Sequence, residues 1–301
     1  MRHALSVVVR VAALCVAATS ACASVQVIDD TGAAVVLAAP ARRIVSLAPH
    51  TTELLFAAGA GGYVVGAVDY SDYPAAAKAI PRVGSSSLLD MEAIAALKPD
   101  LVVVWRNGTS AARIDALRAL GIPVYLNEPR TLAGIASTLE RLGELAGTGP
   151  DARAAAQTFA ARLAALRERY AGRRPVPVFW QIWATPLLTI NGHHVISDAV
   201  RLCGGVNVFA ELGPLVPAIT PEAVVAADPE AIVTTGSDAT ATHDDGLALW
   251  RALPRLRATA RGNLIVLDAD AIHRQSARVL DGVDALCARL DGVRSRAAAS
   301  R

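Results

Sequence analysis

The sequence predicts an α/β protein of two lobes with mainly parallel sheets, the lobes joined by one long rigid helix. Three observations predict it. A helix–turn–strand unit occurs twice. Apolar, β-branched runs alternate with helical stretches. A Pro-free amphipathic stretch of helical period separates the two halves.

The repeat is the most informative feature. Glu92-Ala93-Ile94-Ala95-Ala96-Leu97-Lys98-Pro99-Asp100-Leu101-Val102-Val103 returns as Glu222-Ala223-Val224-Val225-Ala226-Ala227-Asp228-Pro229-Glu230-Ala231-Ile232-Val233. In each copy a short helix meets a Pro-acidic turn and then an apolar strand. Proline stops the helix, and β-branched residues favour the strand. Each copy leads to a further helix and a strand that opens on Gly121 or Gly262.

The remaining elements follow in order. Arg43–Leu47 reads as a strand feeding a helix from Thr51 to Ala58, with Thr51 or Thr52 placed to cap it and Gly59 to end it. Val64–Val68 is the next strand. Asp151–Ala171 lacks proline, and Phe159, Leu163, Leu166 and Tyr170 fall on one helical stripe. About 20 residues at ~1.5 Å each give ~30 Å, the width of a small domain. Val176–Ile182 opens the second half as a strand. Asn191-Gly192 signals a tight turn between Leu188–Ile190 and Val195-Ile196, which places His193 and His194 in a solvated turn. Continuous apolar strands imply sheets covered on both faces. The expected division is 24–149 for the N-terminal lobe, 150–172 for the bridging helix and 173–301 for the C-terminal lobe.

Composition narrows the function classes. The 301 residues are 53% hydrophobic and 19% charged, which excludes a disordered chain. Twenty-nine basic residues against 27 acidic ones exclude a nucleic-acid binder that works by broad phosphate neutralisation. Aromatic residues are scarce at 4%, so those that cluster carry more information than usual.

Residues 1–23 read as a signal peptide: Arg2 and Arg10 flank an apolar run too short to span a bilayer. Ala21-Cys22-Ala23 is a cleavage site that would release a soluble chain. Thr19-Ser20-Ala21-Cys22 is the competing lipoprotein-like site, which would leave Cys22 lipidated. Removing Arg2 and Arg10 leaves 27 basic and 27 acidic residues, a neutral mature chain. Export leaves Cys203 and Cys287, and two thiols in an oxidising compartment most simply form a disulfide. That bond would close a loop of about 84 residues, worth ~4 kcal/mol on the chain-entropy model. A metal or nucleophilic role for them lacks a C-x-x-C or a local partner.

Ile44-Val45-Ser46-Leu47-Ala48-Pro49-His50-Thr51-Thr52-Glu53-Leu54-Leu55-Phe56-Ala57-Ala58-Gly59 resembles the first strand and helix of the helical-backbone (class III) periplasmic binding proteins. Members of that family deliver cobalamin, haem or ferric siderophores to ABC importers. Tyr70-Ser71-Asp72-Tyr73-Pro74, Leu97-Lys98-Pro99-Asp100-Leu101-Val102, Trp105-Arg106 and Leu202-Cys203-Gly204-Gly205-Val206-Asn207-Val208-Phe209 are similar to segments of its cobalamin-binding members. The likeness covers roughly residues 40–290.

The resemblance implies a ligand cleft between the lobes, cobalamin as transported ligand with no resident cofactor or metal, the membrane subunits of an ABC importer as partner, a periplasmic location and no enzymatic activity. A monomer is expected. Tyr70 and Trp105 match aromatic residues that pack on the corrin, and Asp270 and Arg274 match polar residues facing it from the second lobe. Glu92 and Glu222 match surface glutamates that pair with importer arginines. Cys203 and Cys287 match a family disulfide. Two cleft tryptophans of the family are absent here: one falls at Ser86, the other near Val216 or Pro217. Trp183 is an additional aromatic near the cleft.

Each residue also has a plainer reading. Trp105 and Tyr70 can be half-buried strand-end residues, and Arg274 a surface charge. Asp270 can cap a helix, and Glu92 and Glu222 can serve their helix dipoles. His50 follows a strand end and opens a helix, a usual place for ligand contacts in α/β sheets. It can reach a ligand or simply start the helix. Two alternative functions stand beside cobalamin capture. One is a haem or siderophore carrier of the same fold, with His50 or Tyr70 as iron ligand. The other is an exported α/β enzyme using His50, Glu53 or Asp270, although G-x-S-x-G, H-E-x-x-H and P-loop motifs are all missing from the sequence.

Overall fold

The computed structural model describes residues 24–85, 88–236 and 246–299. The signal-peptide reading, Cys22 and Ser86 lie outside the described residues.

Two four-stranded parallel sheets organise the chain. The first has the order β4 (Val64–Ala67), β3 (Ile44–Ser46), β5 (Leu101–Trp105), β6 (Val124–Asn127). The second has the order β10 (Gly205–Asn207), β7 (Val176–Trp180), β11 (Ala231–Gly236), β12 (Leu264–Asp268). Two small antiparallel hairpins flank them: β1 (Val25–Ile28) with β2 (Ala34–Leu37), and β8 (Trp183–Ala184) with β9 (Leu187–Leu188).

The sequence repeat is structural. Helix α2 (Met91–Ala96) precedes β5, and α7 (Pro221–Ala227) precedes β11. β5 and β11 each hold the third place in their sheet. Asp90 caps α2 by accepting the Ala93 N–H, and Thr220 caps α7 by accepting the Ala223 N–H. Each helix then leads into a left-handed residue, Lys98 at φ 44° and Asp228 at φ 40°. Pro99 and Pro229 follow them and disfavour the α region for those two residues.

Strand sequences explain the layering. Along β5, Leu101 and Val103 face one side of the sheet and Val102 and Val104 the other, and all four are fully buried. Both faces are therefore covered. The covering helices include α1 (Pro49–Ala57), α3 (Ala111–Ala119), α4 (Leu132–Ala146), α6 (Val195–Leu202), α8 (Ala248–Arg251), α9 (Arg257–Ala260) and α11 (Val279–Ala299). Helix α5 runs from Gly149 to Tyr170, and Phe159, Leu163, Leu166 and Tyr170 are its buried stripe. One apolar cluster joins Ile44 and Leu101 of the first sheet, Phe159 and Leu163 of α5, and Val176 and Val233 of the second. The two sheets thus share a core through α5. The outer faces have separate clusters, around Val45, Val102 and Ile94 in the first sheet and around Phe179, Ile232 and Trp250 in the second.

The disulfide joins Cys203, just after α6, to Cys287 on α11, with a sequence separation of 84. Both residues are fully buried.

Three local expectations are corrected. Val195-Ile196 is not a strand: it is the first turn of α6, and His194 is the cap, its Nδ1 accepting the Ile196 N–H at 3.1 Å. The tight turn expected at Asn191-Gly192, a hairpin signal, implies an extended segment at Val195-Ile196. In fact Asn191 folds back on its own chain, its Oδ1 accepting the His193 N–H. Helix α1 starts at Pro49, two residues earlier than expected, with Ala48 as cap residue. Pro at the first helical position is preset for the helix, and Thr51 supports it by accepting the Ala48 N–H. Asp268, not Asp270, caps α10 (Ala269–Ile272).

Candidate functional site

In a parallel sheet the loops that follow the carboxyl ends of the strands gather on one edge, the usual place for a ligand. Here β3 leads to His50 and Glu53, β4 to Tyr70 and Asp72, and β6 to Asn127, Glu128 and Arg130. Trp105 ends β5. In the second sheet β7 leads to Trp183, and β12 leads to Asp270, His273 and Arg274. The two carboxyl edges meet. Arg274 donates to Glu53 at 3.2 Å, to Asp72 at 3.1 Å and to the Tyr70 carbonyl at 3.3 Å, all across the gap between the lobes.

Tyr70 is 78% exposed, and its backbone is left-handed at φ 62°. It occupies the third position of a turn closed by the Ser71 N–H donating to the Val68 carbonyl. That position normally takes glycine. A tyrosine there is held at a cost of order 1–3 kcal/mol, which the surrounding structure must offset.

Trp105 is half-buried. The His50 ring meets its indole edge-on, with centroids 5.5 Å apart and planes at 86°. The indole Nε1 is buried without a hydrogen-bond partner. Glu128 lies close enough to feel the indole, but no hydrogen bond of normal geometry forms between them. Burial raises the Glu128 carboxyl, against the Asn107 backbone N–H and the Arg130 charge.

His50 is 5% exposed, and its Nε2 lies 3.1 Å from Asn127 Oδ1. Burial lowers its pKa to about 4, so it is neutral at pH 7. His50 is thus buried against the edge of the Trp105 indole and not at an open surface.

Trp183 is 61% exposed on the β8–β9 hairpin, its indole N–H donating to the Thr185 carbonyl at 2.9 Å. Asp270 is largely exposed and accepts from Arg274 Nε at 3.0 Å. Arg274 itself is mostly buried. Burial works against its charge, yet Asp270 and Asp72 keep its pKa above the ordinary value. Glu92 and Glu222 are not in this group. Both are exposed, in the first turns of α2 and α7.

Several members of the site have no marked sequence signal. Glu53 is buried and holds Ser276 and Arg278 as well as Arg274. His194 and His273 lie near enough to influence each other, and burial lowers both to about 4. Their one readable signal is position: Glu53, His273, Ser276 and Arg278 all follow closely on strands β3 and β12.

The arrangement is chemically simple. It presents exposed aromatic rings from both lobes, neutral imidazoles, and arginines already matched by carboxylates. Such a surface can bind a large, mostly apolar ligand with a few polar groups.

Residues 44–271 match the sequence pattern of the periplasmic binding protein family. A vitamin B12-binding protein of Yersinia pestis (strain Pestoides F) is 38% identical over 253 residues, which is 84% of this chain and 88% of that protein. The crystal structure of periplasmic vitamin B12 binding protein BtuF of Vibrio cholerae superposes with a TM-score of 0.76 at 35% identity, over 85% of this chain and 98% of that one. The apo form of periplasmic heme-binding protein RhuT from Roseiflexus sp. RS-1 has the same fold, with a TM-score of 0.72 at 24% identity over 84% of this chain and 98% of that one.

Proposed function

Because the chain belongs to the periplasmic binding protein family, we propose that it captures cobalamin between its lobes, unaltered, and delivers it to an ABC importer from the periplasm. The observation that carries this reading is the placement of Tyr70, Trp105 and Trp183 at the carboxyl edges of the two sheets. A corrin ring needs broad, flat apolar contact and few polar groups, and exposed aromatic rings supply that contact. Likeness to vitamin B12-binding proteins over most of the chain supports the same ligand.

Each candidate residue then has a role. Tyr70 and Trp105 flank the ring, and Trp183 contributes a further wall from the second lobe. Asp270 and Arg274 lie at the polar rim, where amide side groups of the ligand would sit. His50 holds the indole of Trp105. Because the lobes share a core through α5, lobe motion is small, and recognition depends on a site already formed.

Glu92 and Glu222 fit a docking role. The repeat places them identically in each lobe, so a two-lobed carrier offers matched charges to a two-fold transporter. Reversing both charges should abolish uptake while cyanocobalamin affinity stays unchanged. An accompanying fall in affinity would remove them from docking.

Haem is the competing ligand, because the exposed Tyr70 phenol is an available oxygen. His50 Nε2 is buried and committed to Asn127. Titration calorimetry with cyanocobalamin, cobinamide and haemin separates the readings. Tight binding of haemin alone would overturn the cobalamin proposal. The carrier acts as a monomer, released by cleavage after Ala23. The mass of the mature N-terminus distinguishes this from lipidation at Cys22.

A further inference from the structure

Glu53 occupies a peculiar position for a glutamate. It lies on α1, one turn past the helix start, and is only 4% exposed. Among the described residues, its side-chain hydrogen bonds outside that helix come from the other lobe. Arg278 Nη2 donates to Oε1 at 2.6 Å and its Nε to Oε2 at 3.0 Å, a bidentate pairing. Ser276 Oγ donates to Oε2 at 2.6 Å. Arg274 Nη1 donates to Oε1 at 3.2 Å. Paired arginine–carboxylate forks fix geometry as well as charge. Removing one partner of a buried pair leaves the other uncompensated.

The cluster continues to the candidate site. The same Nη1 of Arg274 reaches Asp72 and the Tyr70 carbonyl. The Arg278 guanidinium lies 3.9 Å from the centre of the Tyr73 ring. Within its own lobe the turn is also held. Arg82 donates to the Ser71 carbonyl at 2.9 Å, and Thr52, beside Glu53, reaches Ser71 at 3.2 Å. The left-handed Tyr70 is therefore gripped on one side by its own lobe and on the other by Arg274.

We infer that Glu53 is a positioning residue: its buried carboxylate sets the spacing of the two lobes and, through Arg274, holds Tyr70 in the left-handed conformation that presents its ring. This deepens the proposed function and rests on it for the role of Tyr70. Glu53 does not touch the ligand. Its effect on affinity passes through Tyr70, and its effect on lobe spacing needs no ligand at all.

The test has two arms. In the first, cyanocobalamin is titrated into the full chain, Glu53→Gln, Tyr70→Ala and the double variant. Glutamine keeps the shape and can still accept from Ser276, but it gives up the charge shared by the two arginines. Glu53→Gln should weaken binding about tenfold, within the range for residues coupled through one network. It should have little further effect once Tyr70 is alanine, and Glu53→Asp should recover part of the loss. A loss of equal size in both backgrounds, or no loss, overturns the inference.

In the second arm, spin labels at cysteines replacing exposed Ala116 and Ala226, one in each lobe, report the ligand-free lobe distance. Glu53→Gln should broaden the distance distribution, and an unchanged distribution overturns the spacing role. If the wild-type chain does not bind cyanocobalamin, the ligand proposal fails while this arm still decides the spacing claim. Should Glu53→Gln not fold, Ser276→Ala removes one cross-lobe partner without changing charge and carries both arms.

Discussion

Gly108 offers a sharp test of the aromatic platform, because it lies directly against the Trp105 indole. A Cβ built at Gly108 would stand 2.0 Å from Trp105 Cε3 and 2.6 Å from Cδ2 and Cζ3. Carbon atoms rest at about 3.5–4.0 Å, so in Gly108→Ala the indole must retreat by roughly 1.5 Å. A fused ring cannot bend away, and its other neighbour is the buried His50 ring. Overpacking of this kind costs about 1–3 kcal/mol of stability. It also moves the flat face on which the ligand would rest. Cyanocobalamin affinity measured by calorimetry should fall at least about tenfold, or ~1.4 kcal/mol. Trp105→Ala, which deletes the platform outright, should cost ~1–3 kcal/mol of binding, by analogy with interface truncations. Thermal melting of each variant separates lost affinity from lost fold. Melting lowered in Gly108→Ala with both variants binding as tightly as wild type would show that Trp105 is not a contact.

Other outcomes follow from the same structure. Phe159→Ala, on the buried stripe of α5, should destabilise the chain by about 3–5 kcal/mol. Because its cluster spans both sheets, denaturant unfolding should remain one transition, and two separated transitions would contradict a shared core. Replacing Cys203 and Cys287 by serine should lower unfolding free energy by about 4–5 kcal/mol on the chain-entropy model. A change under about 1 kcal/mol would show that the 84-residue closure contributes little. His50, His194 and His273 are lowered from 6.5 to about 4 by burial. Between those values the unfolded chain binds more protons than the folded one, so stability rises with pH. Their contribution is complete above pH 6.5 and lost as pH falls towards 4. Melting temperature should drop across that window, and His50→Gln should flatten the drop; a rise on acidification would contradict the assignment.

Much of the architecture was legible because it rests on local signals. Lys98-Pro99-Asp100 and Asp228-Pro229-Glu230 announce a helix stop and a strand start, and the structure puts equivalent left-handed residues there. Phe159, Leu163, Leu166 and Tyr170 mark the buried stripe of α5 by period alone. Local signals mislead where tertiary packing overrides them. Asn191-Gly192 is a hairpin signal, yet Val195-Ile196 beyond it opens helix α6. The β1–β2 hairpin was not anticipated, although Val25–Ile28 and Ala34–Leu37 alternate in burial with period two around a Thr31-Gly32 turn.

The candidate site was legible only in part. The family resemblance brings Tyr70, Trp105, Asp270 and Arg274 into view, and the structure draws Tyr70, Asp270 and Arg274 together across the gap. Glu53 enters the sequence reading only as a candidate of the enzyme alternative, and its cross-lobe role is hidden because its partners, Ser276 and Arg278, lie more than 220 residues away. Long-range ion pairs of this kind leave no local pattern. The neutrality of His50 is likewise invisible, since it arises from burial, which outweighs the opposing bond to Asn127.

X-ray diffraction from crystals soaked in cyanocobalamin, collected at the cobalt absorption edge, tests the central claim most directly. One cobalt peak is predicted between the lobes, with Tyr70 and Trp105 against the corrin. A peak on an outer face, or none in crystals that take up haemin, would contradict it.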